Sequence, residues 1–164
     1  MFYLLTRKVI FVCLMFLSSQ LCALNIEKFY IKDGSGNFNF GAFGIFNVDY
    51  ENGKLIMPLQ RDEYKNITIL DKNLMLKMAQ CFIKCETSET KTPEVKLVDL
   101  RPAGKIFIAD VSFDNELLIT FLVIKNKDTV RVSKPEDFIF NDKNFETNLK
   151  NLIKDELKLL SNKE

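Results

Sequence analysis

Two pairs of residues in this chain have types and spacings that can do chemistry. Cys81 and Cys85 close the pentapeptide CFIKC, and Asp99 and Asp110 stand in two runs that are otherwise largely apolar and β-branched. A Cys-x3-Cys pair in an oxidising compartment can be a structural disulfide, a thiol redox centre or part of a soft-metal site. On a regular helix, residues four apart hold their Cβ atoms about 5–6 Å apart. A disulfide needs roughly 3.5–4.5 Å. A bond between Cys81 and Cys85 therefore requires the helix to end near Cys85, which the following Glu86-Thr87-Ser88 permits. On an unbroken helix the same residues are buried thiols in an apolar stripe. Two carboxylates flanking a cleft suffice for glycoside hydrolysis, so Asp99 and Asp110 are the candidate pair of a small hydrolase. Aspartates on strands also serve simply to face solvent on the open side of a sheet.

The chain contains no histidine. Ser-His-Asp and Cys-His nucleophiles and histidine-ligated metals are thereby excluded. No metal site and no cofactor are expected. Five of the six glycines (Gly34, Gly36, Gly41, Gly44 and Gly53) fall within KDGSGNFNFGAFGIFNVDYENGK, residues 32–54. A dinucleotide-binding turn needs a third glycine and a following helix. Here Gly34-Ser35-Gly36 leads into Asn37, Phe38 and Asn39, and no Gly-Lys-Ser/Thr occurs. Nucleotide binding is not expected.

The elements that must position these residues follow from periodicity. Residues 37–50 alternate with period two, which predicts one long strand. Its even positions, Phe38, Phe40, Ala42, Gly44, Phe46, Val48 and Tyr50, face the core. Its odd positions are polar apart from Phe43 and Ile45. Those two form a candidate apolar binding patch, or a seat for a covering helix. Asn52-Gly53 supplies a type I′ turn. It sets Glu51 opposite Lys54, Tyr50 opposite Leu55, Val48 opposite Met57 and Phe46 opposite Leu59.

Further strands are predicted at 25–32, 65–70, 95–100, 106–113, 117–125, 129–133 and 138–140. Asp71 caps a helix through CFIKC that should be largely buried, with Leu74, Met78, Cys81, Phe82 and Cys85 on its apolar side. Asp142 caps an amphipathic C-terminal helix carrying Phe145, Leu149, Leu152, Ile153, Leu157 and Leu160 on one face. The fold class is α+β: an antiparallel sheet of about six to seven strands with both helices on one face.

At 164 residues, with 15 phenylalanines, the chain can bury a core as one domain. Its 23 basic and 22 acidic residues leave no electrostatic footprint for nucleic acid. Residues 1–23 read as a cleaved signal peptide: Arg7-Lys8, an apolar run over residues 9–17, and the small-residue site Cys22-Ala23. Lipidation at Cys22 and an uncleaved anchor are the alternatives, and only they would bring membrane contact. Cleavage leaves 24–164 as a single exported domain, periplasmic or secreted. The expected function is that of a non-catalytic binding protein of the bacterial envelope. Its partner is a protein or a small apolar ligand held between sheet and helices. A carboxylate hydrolase and a thiol redox or metal-handling protein using Cys81 and Cys85 are the alternatives.

Overall fold

The computed structural model describes residues 24–58, 64–126 and 129–161. The expected signal peptide, with Cys22, and the expected partner Leu59 lie outside these residues. In chain order the elements are β1 (Lys28–Lys32), β2 (Ser35–Asn39), β3 (Phe43–Glu51), β4 (Lys54–Ile56), β5 (Asn66–Ile69), α1 (Lys72–Cys81), β6 (Val95–Ala103), β7 (Ile106–Phe113), β8 (Leu117–Lys125), β9 (Val130–Ser133), β10 (Phe138–Phe140) and α2 (Lys143–Ser161).

The α+β class holds, but the strands form two antiparallel sheets of five rather than one sheet of six or seven. The first runs β1-β2-β3-β10, with β4 also on β3; the second runs β5-β8-β7-β6, with β9 also on β8. Periodicity marks a strand but does not name its ladder partner. The β3–β10 and β5–β8 pairings join segments far apart in sequence. The two sheets meet through phenylalanines: Phe43 against Phe113 at 5.0 Å between ring centroids, and Phe138 against Phe121 at 6.0 Å. Burying each such ring is worth about 1.5–3 kcal/mol.

The long strand expected over residues 37–50 is two strands. Gly41, at φ 78°, occupies the first central position of a two-residue hairpin loop. Asn39 Oδ1 accepts from Gly41 N at 2.7 Å, and Phe40 N donates to Phe43 O at 2.8 Å to close the turn. A β-bulge follows. Phe38 pairs with Ile45 and Gly36 with Val48, so β3 carries one extra residue, at Asn47 with φ 55°. One inserted residue inverts the inward parity. Phe43 and Ile45 therefore face the core before the bulge and Val48 faces it after; all three are 0% exposed.

The expected patch at Phe43 and Ile45 is thus corrected: neither reaches solvent. Phe43 packs against Phe40, Phe113, Phe138 and, from α2, Phe145.

Local chemistry decided the β3–β4 hairpin. Tyr50 opposes Leu55 and Glu51 opposes Lys54 across Asn52-Gly53, at φ 51° and 77°. The ladder stops at Ile56, before Met57. Both aspartate caps form as well. Asp71 Oδ1 accepts from Asn73 N and Leu74 N at 2.7 and 2.9 Å, and Asp142 Oδ1 from Asn144 N and Phe145 N at 2.7 and 3.1 Å.

Helix α1 is not largely buried. It packs against β4 and β5 and buries Leu74, Met78 and Cys81, while Met75 and Leu76 stay exposed. Helix α2 packs on β6 and β10 and buries Phe145, Leu149, Ile153 and Leu157. Among the described residues no helix is long and apolar enough to cross a membrane.

Candidate functional site

Cys81 and Cys85 are joined as a disulfide. Helix α1 ends at Cys81, with Phe82 as its C-cap, so the spacing of a continuous helix does not apply. Phe82 N donates to Ala79 O, and Ile83 N and Lys84 N both donate to Gln80 O, which turns the chain back. Phe82 is driven into an aromatic cluster with Tyr50, Phe29 and Phe38, at 5.1, 5.3 and 6.0 Å between centroids. Gly36 leaves the room for it: a Cβ there would lie 2.5 Å from Phe82 Cζ. The disulfide thus brackets a packed ring. Among the described residues no group of three or more His, Cys, Asp and Glu is placed to hold a metal ion.

Asp99 and Asp110 do meet. They are direct register partners across β6 and β7, on the face turned away from the other sheet. Arg101 occupies the space between them, its Nη1 2.6 Å from Asp99 Oδ2 and 2.5 Å from Asp110 Oδ2. Thr120 Oγ1 donates to Asp110 Oδ1 at 2.7 Å. Half of Asp99 and of Arg101 is in solvent, with side-chain exposures of 49% and 47%. A guanidinium clamped between the carboxylates bridges both with its single positive charge and fills the position that a substrate and a water would need. The cavity that reaches Asp99 lies between β6 and Leu152, Glu156 and Leu160 of α2 and is not lined by Asp110. This is a cross-strand ion-pair bridge rather than an acid–base pair facing a cleft.

Another concave site lies at the edge of the second sheet. Strands β5 and β9 sit end to end along one side of β8, β5 against Leu117–Thr120 and β9 against Leu122–Lys125. Past the end of β9 the chain crosses to β10 and then enters α2. These elements enclose a groove of about 470 Å³, within the range of small-molecule sites. Phe121, Val130, Val132 and Phe140 give it an apolar floor. Its rim carries Arg131 and Lys134 on one side and Glu146, Lys150 and Lys154 of α2 on the other. Residues 146, 150 and 154 fall four apart and so share one helix face.

The electrostatics are one-sided. Four basic residues and a single carboxylate line the groove, in a chain whose net charge is only +1. Lys150 Nζ spends its charge on Glu146 Oε1 at 2.5 Å. Among the described residues Arg131 and Lys154 form no ion pair. Lys134 Nζ donates to the Phe138 carbonyl. Partial burial pushes the Lys134 ammonium below its usual pKa; Glu146 and Asp137 oppose that shift, and Lys65 and Lys150 add to it. A lysine so placed gains from any anion that enters the groove.

In the sequence the column Glu146, Lys150, Lys154 is visible on the polar side of the C-terminal helix, but nothing there ties it to Arg131 and Lys134, which line the same groove. Comparison of the chain with protein-family models, with curated proteins and with solved structures found no match.

Proposed function

We propose that this chain is a small, non-catalytic binding protein of an exported compartment that holds an amphipathic anion in the groove between β9, β10 and α2. The observation that carries the reading is the pairing of an apolar floor with a cationic rim in one concavity. An alkyl or aryl segment would lie on Phe140, Val130 and Val132. A carboxylate or phosphate would meet Lys134 and Lys154. Of the two partners expected from sequence, the small ligand is favoured, because the apolar patch offered to a protein partner is core. The export half of the proposal rests on the layout of residues 1–23, with Arg7-Lys8 ahead of an apolar run and Cys22-Ala23 behind it.

Titration calorimetry with dodecyl phosphate, dodecanoate, dodecyltrimethylammonium and inorganic phosphate tests the groove. Both anionic chains should bind, inorganic phosphate much more weakly, and the cationic chain not at all. Lys134→Ala together with Lys154→Ala should weaken the anions by about 10- to 100-fold, the loss of one or two charge-assisted hydrogen bonds. Equal affinity for the cationic and anionic chains would sink the proposal.

A further inference from the structure

Leu24 is tied into the fold by its first atom. Its backbone N donates to Glu116 Oε2 at 2.9 Å, across 92 residues of sequence. Two residues on, Ile26 O accepts from Ser88 N at 3.0 Å, and Glu27 N donates to Asn39 O at 2.8 Å. Leu24 and Ile26 are each 3% exposed and belong to the core. Glu116 is equally fixed. It sits in the turn between β7 and β8, and its carbonyl accepts from Leu70 N and Asp71 N at 2.7 and 3.1 Å.

The corner around Glu116 is short of positive charge. Asp71, at the start of α1, and Asp114, in the same turn, both act on it as like charges, and the opposing cation is Lys77 of α1. Burial is the largest influence on the Glu116 carboxyl and pushes its pKa up; the Leu24 hydrogen bond and Lys77 pull the other way. An amide N–H is a neutral partner for a carboxylate in that setting. A cation at the same point would be a far stronger one.

We propose that hydrolysis of the Ala23–Leu24 bond makes that cation, so that the α-ammonium of Leu24 forms a partly buried ion pair with Glu116 in the mature chain. The inference rests on the export reading above. A signal-removing endopeptidase and water break one C–N bond. The hydroxyl goes to the Ala23 carbonyl carbon, and the amine keeps its hydrogen, takes the other from water and picks up the proton of the new acid to become –NH3⁺. No rearrangement is needed, because the nitrogen already stands at hydrogen-bond distance from Oε2. Cleavage ahead of Cys22 would leave Leu24 N an amide and the corner without its cation. The fold is thereby completed by processing at one bond and not at its neighbours.

The sign of the pH dependence follows. An ammonium that gains a carboxylate has its folded pKa raised above the ordinary α-amino value of about 7.7–8.0. Its stabilisation is fully present below that value and is lost as pH rises through the folded pKa. The full chain is produced in an exporting bacterium and the N-terminus of the recovered protein is read by mass spectrometry. Leu24 is expected as the first residue. Part of the material is then unfolded in urea, where the α-amine regains its ordinary pKa, acetylated there at about pH 6.5 while lysines stay protonated, and refolded. Acetylation should lower the thermal midpoint by about 3–6 °C near neutral pH and abolish the alkaline loss. In Glu116→Gln, acetylation should change nothing. Equal midpoints before and after acetylation of the wild-type chain overturn the ion pair, whether or not the variant folds. A native chain beginning at another residue overturns the processing step, and one recovered from the cytosol with residues 1–23 still attached overturns the export reading, so the two failures are told apart.

Discussion

Gly36→Ala is a substitution whose outcome is set by packing alone. Gly36 has no positive φ, so its backbone accepts an alanine; only space opposes the change. The added Cβ would stand 2.5 Å from Phe82 Cζ, 2.9 Å from Phe29 Cε2 and 3.1 Å from Phe82 Cε1. Carbon atoms pack best at about 3.5–4.0 Å, so the Phe82 ring must withdraw by roughly 1 Å. It has little freedom to do so. Its ring stacks on Tyr50 at 5.1 Å and meets Phe29 edge-on at 5.3 Å, while Cys81 and Cys85 bracket it in sequence. Overpacking of this kind costs about 1–3 kcal/mol. Reduced freedom of the unfolded chain returns about 0.4–1 kcal/mol, which leaves a net loss of about 1–2 kcal/mol.

Removing the Phe82 ring removes the nearest obstacle and leaves the Phe29 ring, which packs against it at 5.3 Å, room to give up its own 2.9 Å approach. In a Phe82→Ala background, itself about 2–3 kcal/mol less stable because Phe82 is only half-buried, Gly36→Ala should be neutral within about 0.5 kcal/mol. The double-mutant cycle, measured by urea denaturation, should therefore show a coupling of at least about 1 kcal/mol. Additive effects would refute the reasoning, because they would mean that Gly36 is not the socket of Phe82.

Two further outcomes are expected. Protein beginning at Leu24 should show no titratable thiol in denaturant until reductant is added, and two afterwards. Reduction should then cost at most about 2 kcal/mol, since the closed loop is short; two thiols titrating without reductant would refute the bond. Lys134 gives an alkaline signature. Its folded pKa lies below the ordinary 10.5 because of burial, so between the two values the unfolded chain binds more protons and stability rises with pH. Lys134→Met should flatten that rise in the pH dependence of the urea midpoint, and an unchanged slope would show that another group is responsible.

What the sequence determined was local. The Asn52-Gly53 hairpin with its Tyr50–Leu55 register, the Asp71 and Asp142 caps and the buried stripe of α2 all depend on residues within a few positions of one another. Turn conformation and helix capping are short-range chemistry, and tertiary packing had nothing to overrule there. The parity of residues 37–50 was also visible, but parity assumes an uninterrupted strand. Asn39 and Gly41 fold it into a turn and Asn47 adds one residue, so Phe43 and Ile45 changed from a surface patch to the centre of the core.

The Asp99–Asp110 pairing is set by a local turn: the two-residue hairpin loop Gly104-Lys105 fixes one register from Ala103–Ile106 through Asp99–Asp110, before the bulge between Leu97 and Asp99, and Arg101 then bridges the two carboxylates. Tertiary structure alone decided the other two sites. Lys150 and Lys154 form half of a rim because α2 lies beside β9 and β10 and so meets Arg131 and Lys134. Leu24 reaches Glu116 across 92 residues because the turn after β7 and the start of α1 close over it. Each of these depends on which segments pack together, and that choice is set by the sum of buried area over the whole chain. No short stretch of sequence encodes it.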